Sequence, residues 1–197
     1  MMSNVMSQLN TEEWLLIDKA ERFATEAHEG QMRKGGKDTP YITHPLAVAE
    51  ILKDVGATTK EIMAGILHDT VEDTDRTLAE IAMTFGDEVA VTVDYVTEAD
   101  KSLKWKERKA KYITRLGTAP YSAVLVAAAD KLHNARDTLE DYHKYGDGVW
   151  SMFNSQKDSQ FWYYKMLIEI FEARNVPEKM VEELKVILTK IHDRFIV

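Results

Sequence analysis

A chain of 197 residues with no cysteine has neither disulfide staples nor a thiolate metal site, and it is long enough to bury one full core. A net charge of −8 at pH 7 argues against general nucleic-acid binding, which relies on a basic surface to neutralise phosphates; a small anionic ligand needs only a local basic patch. Hydrophobic residues are 45% and charged residues 29%, no apolar run reaches the ~20 residues that cross a bilayer, and no basic-then-apolar leader opens the chain, so a folded cytoplasmic protein away from the membrane is expected.

Helical patterning runs nearly throughout, with no convincing alternating strand. Residues 11–29 read as an amphipathic helix opened by Asn10 or Thr11, with Glu13 as capping acid. Residues 30–43 form a loop rich in glycine and basic residues. Pro45 suits the first turn of a second helix, to about Val55, which places His44 at its N-cap. A third helix spans 58–70, a fourth 76–85 with a stop at Gly86, and a fifth 87–97. The basic segment 100–111 starts a sixth, ending near Leu116; Pro120 opens a long helix to about Leu139; residues 146–158 are polar and irregular. Helices at about 159–174 and 178–194 close the chain, separated by Asn175-Val176-Pro177. With no internal repeat and no dividing linker, the expectation is one all-α domain over 1–197, its motif core at about 20–140 with the last two helices packed on it.

The most informative stretch is Ala64-Gly-Ile-Leu-His68-Asp69-Thr-Val-Glu72-Asp73-Thr74. On a helix, residues three or four apart share a face, so one strip would carry an imidazole and three carboxylates. A bound cation gives a reason for that crowding. Asp130 follows an otherwise apolar run, Val124 to Ala129, and a buried carboxylate needs a partner or a cation. His44, His68, Asp69 and Asp130 together are a candidate metal site: two imidazoles and two carboxylates suit Mn²⁺, Fe or Zn²⁺ and leave positions for water and substrate. Taken singly, each has a plainer reading, as a core histidine, a cap, or the polar edge of a buried helix.

His44, His68-Asp69 and Asp130, in this order, resemble the metal-binding pattern of the HD-domain phosphohydrolase superfamily. The resemblance extends to its guanosine-tetraphosphate hydrolase branch, which includes the hydrolase half of the Rel/Spo enzymes and the Mesh-type small alarmone hydrolases. It is carried by Arg33-Lys34 with Thr39-Pro-Tyr-Ile-Thr-His44-Pro45, by Leu67-His-Asp-Thr-Val-Glu-Asp-Thr74, and by Ala129-Asp-Lys-Leu-His-Asn-Ala-Arg-Asp137. It implies an HD-type helical bundle holding one Mn²⁺ on His44, His68, Asp69 and Asp130. It further implies that Glu72 and Asp73 position the attacking water, and that Arg33 and Lys34 contact the nucleotide. Asn134 matches a substrate contact, and Lys131 stands where relatives have Lys or Arg.

Val126-Ala-Ala-Ala129 departs from the lysine and leucine of many relatives, and residues 142–165 differ from the bifunctional enzymes. Phe161-Trp-Tyr-Tyr164 reads as an aromatic core stripe. Lys101, Lys104, Lys106, Arg108 and Lys109 read as a solvated helix face, with Lys101 the best candidate among them for a phosphate contact. A chain ending at Val197 is not expected to hold a synthetase domain. The expected activity is hydrolysis of the 3′-pyrophosphate of guanosine tetra- or pentaphosphate. The rival readings are the adenine alarmone, NADPH or another nucleotide as substrate, a nucleotide sensor without turnover, and a purely structural helical protein.

Overall fold

The computed structural model describes residues 9–33, 38–98 and 102–192, and among these it contains helices and no strand beyond one antiparallel bridge, Met32–Pro40. Lys34 and Lys101 lie outside the described residues. The chain divides into two compact units at Thr97–Glu98.

The first unit comprises α1 (Thr11–Ala27), α2 (Thr43–Asp54), α3 (Thr59–Leu67), α4 (Thr70–Asp73), α5 (Leu78–Phe85) and α6 (Asp87–Val96). Capping boxes start three of them. Asn10 and Glu13 cap α1, Thr58 and Glu61 cap α3, and Thr77 and Glu80 cap α5, each pair exchanging side-chain and backbone hydrogen bonds. The last pair puts the start of α5 two residues later than its hydrophobic pattern suggests. α3 is the centre of this unit: Ile62 to Leu67 are all buried, and α1, α2 and α6 pack around it.

Gly65 sets the approach of α2 to α3, because an added methyl would overlap Leu52 Cδ1 and press on Val48 Cγ1 at 3.4 Å. Both neighbours are fully buried. Gly65→Ala is therefore expected to lose about 1–3 kcal/mol of stability through overpacking, measured by urea unfolding.

Two expectations are corrected here. His44 is not the N-cap of α2, because the helix begins at Thr43 and Ile42 holds the cap. The Thr43 hydroxyl donates to the Pro40 carbonyl, which draws the start of the helix back one turn-residue and puts His44 inside it. Nor does α3 run through residue 70. At its end the His68 ring bonds the Gly65 carbonyl at 2.7 Å and the Thr70 hydroxyl donates to the Leu67 carbonyl at 2.7 Å. Side chains thereby take carbonyls that further helical amides would have used, and α4 starts afresh.

The second unit comprises α7 (Trp105–Gly117), α8 (Tyr121–Tyr145), a 3₁₀ helix (Gly146–Met152), α9 (Lys157–Ala173) and α10 (Glu178–Ile191). α8 packs on α9 and α10, and α7 on α9. Leu132, Leu167, Ile168, Phe171 and Leu184 fill its core. α8 exceeds its expected length by nearly two turns, because nothing between Leu139 and Tyr145 breaks a helix before Gly146, whose φ of 55° ends it. The aromatic stripe on α9 is split: Phe161 and Tyr163 are buried, Trp162 and Tyr164 half-buried. Residues 146–152 are helical rather than irregular, and Trp150 joins Phe153, Phe161, Tyr164 and Leu188 around a small apolar cleft.

Candidate metal centre

In the first unit, His44, Val48 and Leu52 lie on one stripe of α2, so the apolar face that enters the core carries the His44 ring with it; that residue is 2% exposed. His68 follows the buried run of α3 and is 3% exposed. The two imidazole rings meet edge to face with centroids 5.1 Å apart. Asp69 follows in the turn between α3 and α4 with its backbone still in the right-handed helical region. Its Oδ2 lies 3.1 Å from His68 Nε2 and 3.6 Å from His44 Nε2.

A carbonyl can only accept, so the Gly65 bond fixes the His68 proton on Nδ1 in the neutral ring and leaves the Nε2 lone pair facing Asp69. Such a backbone bond to the far nitrogen is the usual means of orienting a ligating histidine. Ligand atoms about 2.1 Å from a shared ion lie roughly 3–3.5 Å from one another. The donor set and the two separations therefore fit a divalent cation. Within this unit, His44 and His68 are buried groups able to hold a metal ion.

The short turn from Asp69 into α4 carries the other acids. Glu72 is half-buried and Asp73 exposed. The Tyr41 hydroxyl donates to Asp69 Oδ2 at 2.5 Å and lies 3.5 Å from Asp73 Oδ2. Arg33, on the loop that leads to α2, places its guanidinium 5.7 Å from the Tyr41 ring centre.

In the second unit, Asp130 is 7% exposed on α8. Asn134, one turn on, donates to its Oδ1 at 2.5 Å, and Lys131 to its Oδ2 at 2.6 Å. Burial pulls the Lys131 ammonium down, but the Asp130 charge, with Tyr163 and Tyr112, holds it well above the usual lysine range. Lys131 stays a cation, lying over the rings of Tyr112 and Tyr163.

The basic segment is only partly a solvated face. Lys104 and Lys106 are exposed, whereas Arg108 and Lys109 turn inward onto Glu98, whose side chain is 8% exposed. Arg108 Nε lies 2.5 Å from one carboxylate oxygen and Lys109 bonds the other. Lys109 also sits over the Tyr163 ring at 4.8 Å, and the buried Tyr163 hydroxyl has no hydrogen-bond partner among the described residues. Sequence reasoning missed the roles of Tyr41, Glu98 and Tyr163; a charge pattern does not say which lysine has a carboxylate eleven residues upstream.

A family model described as HD domain matches residues 20–156. The guanosine-3′,5′-bis(diphosphate) 3′-pyrophosphohydrolase MESH1 of Xenopus tropicalis is 46% identical over 124 residues, which cover 62% of this chain and 69% of the frog protein. The guanosine-3′,5′-bis(diphosphate) 3′-pyrophosphohydrolase of Aquifex aeolicus is 35% identical over 196 residues; the match covers 88% of this chain and 27% of that longer protein. A solved structure of a metazoan ortholog of SpoT, described as hydrolysing ppGpp, superposes with a TM-score of 0.76 at 28% identity, covering 92% of this chain and 97% of that one. Matched over more than half its length by the domain model, and by the frog relative across two thirds of that protein, the chain belongs to the HD-domain family, in the group that contains the MESH1 hydrolases.

Proposed function

We propose that this chain is a metal-dependent pyrophosphohydrolase that removes the 3′-pyrophosphate of guanosine tetra- or pentaphosphate, giving GDP or GTP and pyrophosphate. The observation that carries the reading is the meeting of His44 and His68 around one carboxylate oxygen of Asp69, with the acidic pair Glu72-Asp73 three and four residues on, in a chain 46% identical over 124 residues to a named enzyme of that activity. The proposed ligands are His44, His68, Asp69 and Asp130, and the proposed ion is Mn²⁺, one per chain. Such a cation supplies Lewis acidity at the phosphoryl oxygen.

Glu72 and Asp73 orient the attacking water and accept its proton. An oxygen–phosphorus bond forms to that water, the bond from phosphorus to the 3′ oxygen breaks, a proton passes to that oxygen to give the 3′-hydroxyl, and pyrophosphate leaves. Arg33 and Lys34 hold the guanosine, a guanidinium stacking on the base while an ammonium meets phosphate. Lys131, Asn134 and Lys101 hold the pyrophosphate, Lys131 as a permanent cation. No helix among the described residues is long and apolar enough to cross a membrane.

Incubating the pure protein with guanosine-3′,5′-bis(diphosphate), its adenine counterpart and NADPH, with and without Mn²⁺, tests the reading. The expected result is release of GDP and pyrophosphate only with Mn²⁺, faster than any product from the other two nucleotides. A guanosine nucleotide still intact after long incubation with Mn²⁺ would overturn the proposal, and a faster adenine or NADPH reaction would move the substrate.

A further inference from the structure

We infer that Tyr41 is a positioning residue for the metal-dependent step: its hydroxyl, held by a brace of loop side chains, fixes the carboxylates of Asp69 and Asp73. The inference rests on the hydrolase reading above. The Tyr41 ring is held on several sides. Its backbone amide donates to the Gln31 carbonyl at 2.9 Å. Its face lies on the His28 ring with centroids 4.7 Å apart and planes tilted 33°, and its edge meets His44 at 6.1 Å. His28 is itself 3% exposed. A ring so enclosed has little freedom to turn its hydroxyl elsewhere, and that hydroxyl reaches the Asp69 oxygen that also faces both ligating histidines.

A second tie runs in parallel. Gln31 bonds His28 Nδ1 through Oε1 at 2.8 Å and donates from Nε2 to the Asp73 backbone carbonyl at 2.8 Å. His28 thus supports Tyr41 by stacking and Gln31 by hydrogen bonding. The two supported residues grip opposite ends of the turn from Asp69 to Asp73. The loop before α2 therefore sets the geometry of that turn from 28 and 42 residues away. Hydrogen bonds from such outer partners commonly change metal affinity or activity about 10–100-fold when removed.

Tyr41→Phe keeps the stacked ring and removes only the hydroxyl. Titrating Mn²⁺ into the metal-free protein by calorimetry is expected to show binding weakened about 10–100-fold relative to wild type. At saturating Mn²⁺, kcat is expected to fall while the nucleotide KM stays within about twofold, since the hydroxyl acts on the carboxylates and not on the substrate. Equal Mn²⁺ affinity in the two proteins would overturn the role of Tyr41 and leave the hydrolase reading standing. A wild-type protein that takes up no Mn²⁺ would overturn both.

Discussion

Asp69→Ala is expected to reduce pyrophosphate release to about a thousandth of wild type or less, with the helical circular dichroism unchanged. The reasoning is local. Oδ2 of Asp69 is the point on which His68 Nε2, His44 Nε2 and the Tyr41 hydroxyl all converge, at 3.1, 3.6 and 2.5 Å. Removing it takes away the one negative charge in that group and leaves two neutral imidazoles to hold the proposed ion. A divalent cation at a phosphoryl centre stabilises the transition state by several kcal/mol, and at 1.36 kcal/mol per decade a loss of about 4 kcal/mol is roughly a thousandfold. The fold should survive, because Asp69 is half-buried in the turn between α3 and α4, and the apolar run Ile62 to Leu67 that anchors α3 is untouched. Soluble, folded Asp69→Ala protein with wild-type rates would refute the metal assignment. His44→Ala makes a useful companion, since it removes a proposed ligand from a different helix without altering the turn.

Much of the helical framework was legible, because its start signals are short-range. Asn10 with Glu13 and Thr58 with Glu61 are visible in four residues each, and Gly86 and Gly146 end helices at positive φ. That His44, His68 and Asp130 stand out as polar groups on apolar helices was legible for a different reason: burying such groups is costly unless something compensates them. The break after Leu67 was not legible. It depends on the His68 ring reaching back to Gly65 and on Thr70 reaching Leu67, and the residue pattern alone continues the helix. Tyr41 was quoted in a motif without a role, since nothing in a sequence shows where a phenol points. Arg108 and Lys109 read as solvent-facing for the same reason, the partner that turns them inward being set by the fold.

That partner, Glu98, gives the second large effect. Glu98→Ala is expected to destabilise the folded chain by about 3–5 kcal/mol at neutral pH, the range seen when one member of a buried ion pair is removed. The cost comes from the cations left behind. Lys109 is 14% exposed and Arg108 24%, and Lys109 lies over the Trp105 and Tyr163 rings with Lys131 near enough to repel it. Burial already lowers the Lys109 ammonium below the usual range, Lys131 lowers it further, and Glu98 is the main group opposing them. By contrast Lys60 and Glu88, 57% and 75% exposed, form a pair whose loss should cost at most about 1 kcal/mol.

The two cases separate further with pH. Burial alone would raise the Glu98 carboxyl, but the Lys109 charge and hydrogen bond, then Lys131 and Arg108, bring it below its ordinary 4.5. A carboxylate with a lowered folded pKa stabilises above its unfolded pKa and loses that contribution as pH falls through the folded value. Urea unfolding of wild type and Glu98→Ala should therefore differ most at neutral pH and converge in acid below the carboxylate range. Glu98→Gln, which keeps an acceptor but no charge, should fall between them at neutral pH. A gap between wild type and Glu98→Ala that persists undiminished into acid would mean that packing, and not the ion pair, holds this corner of the second unit together.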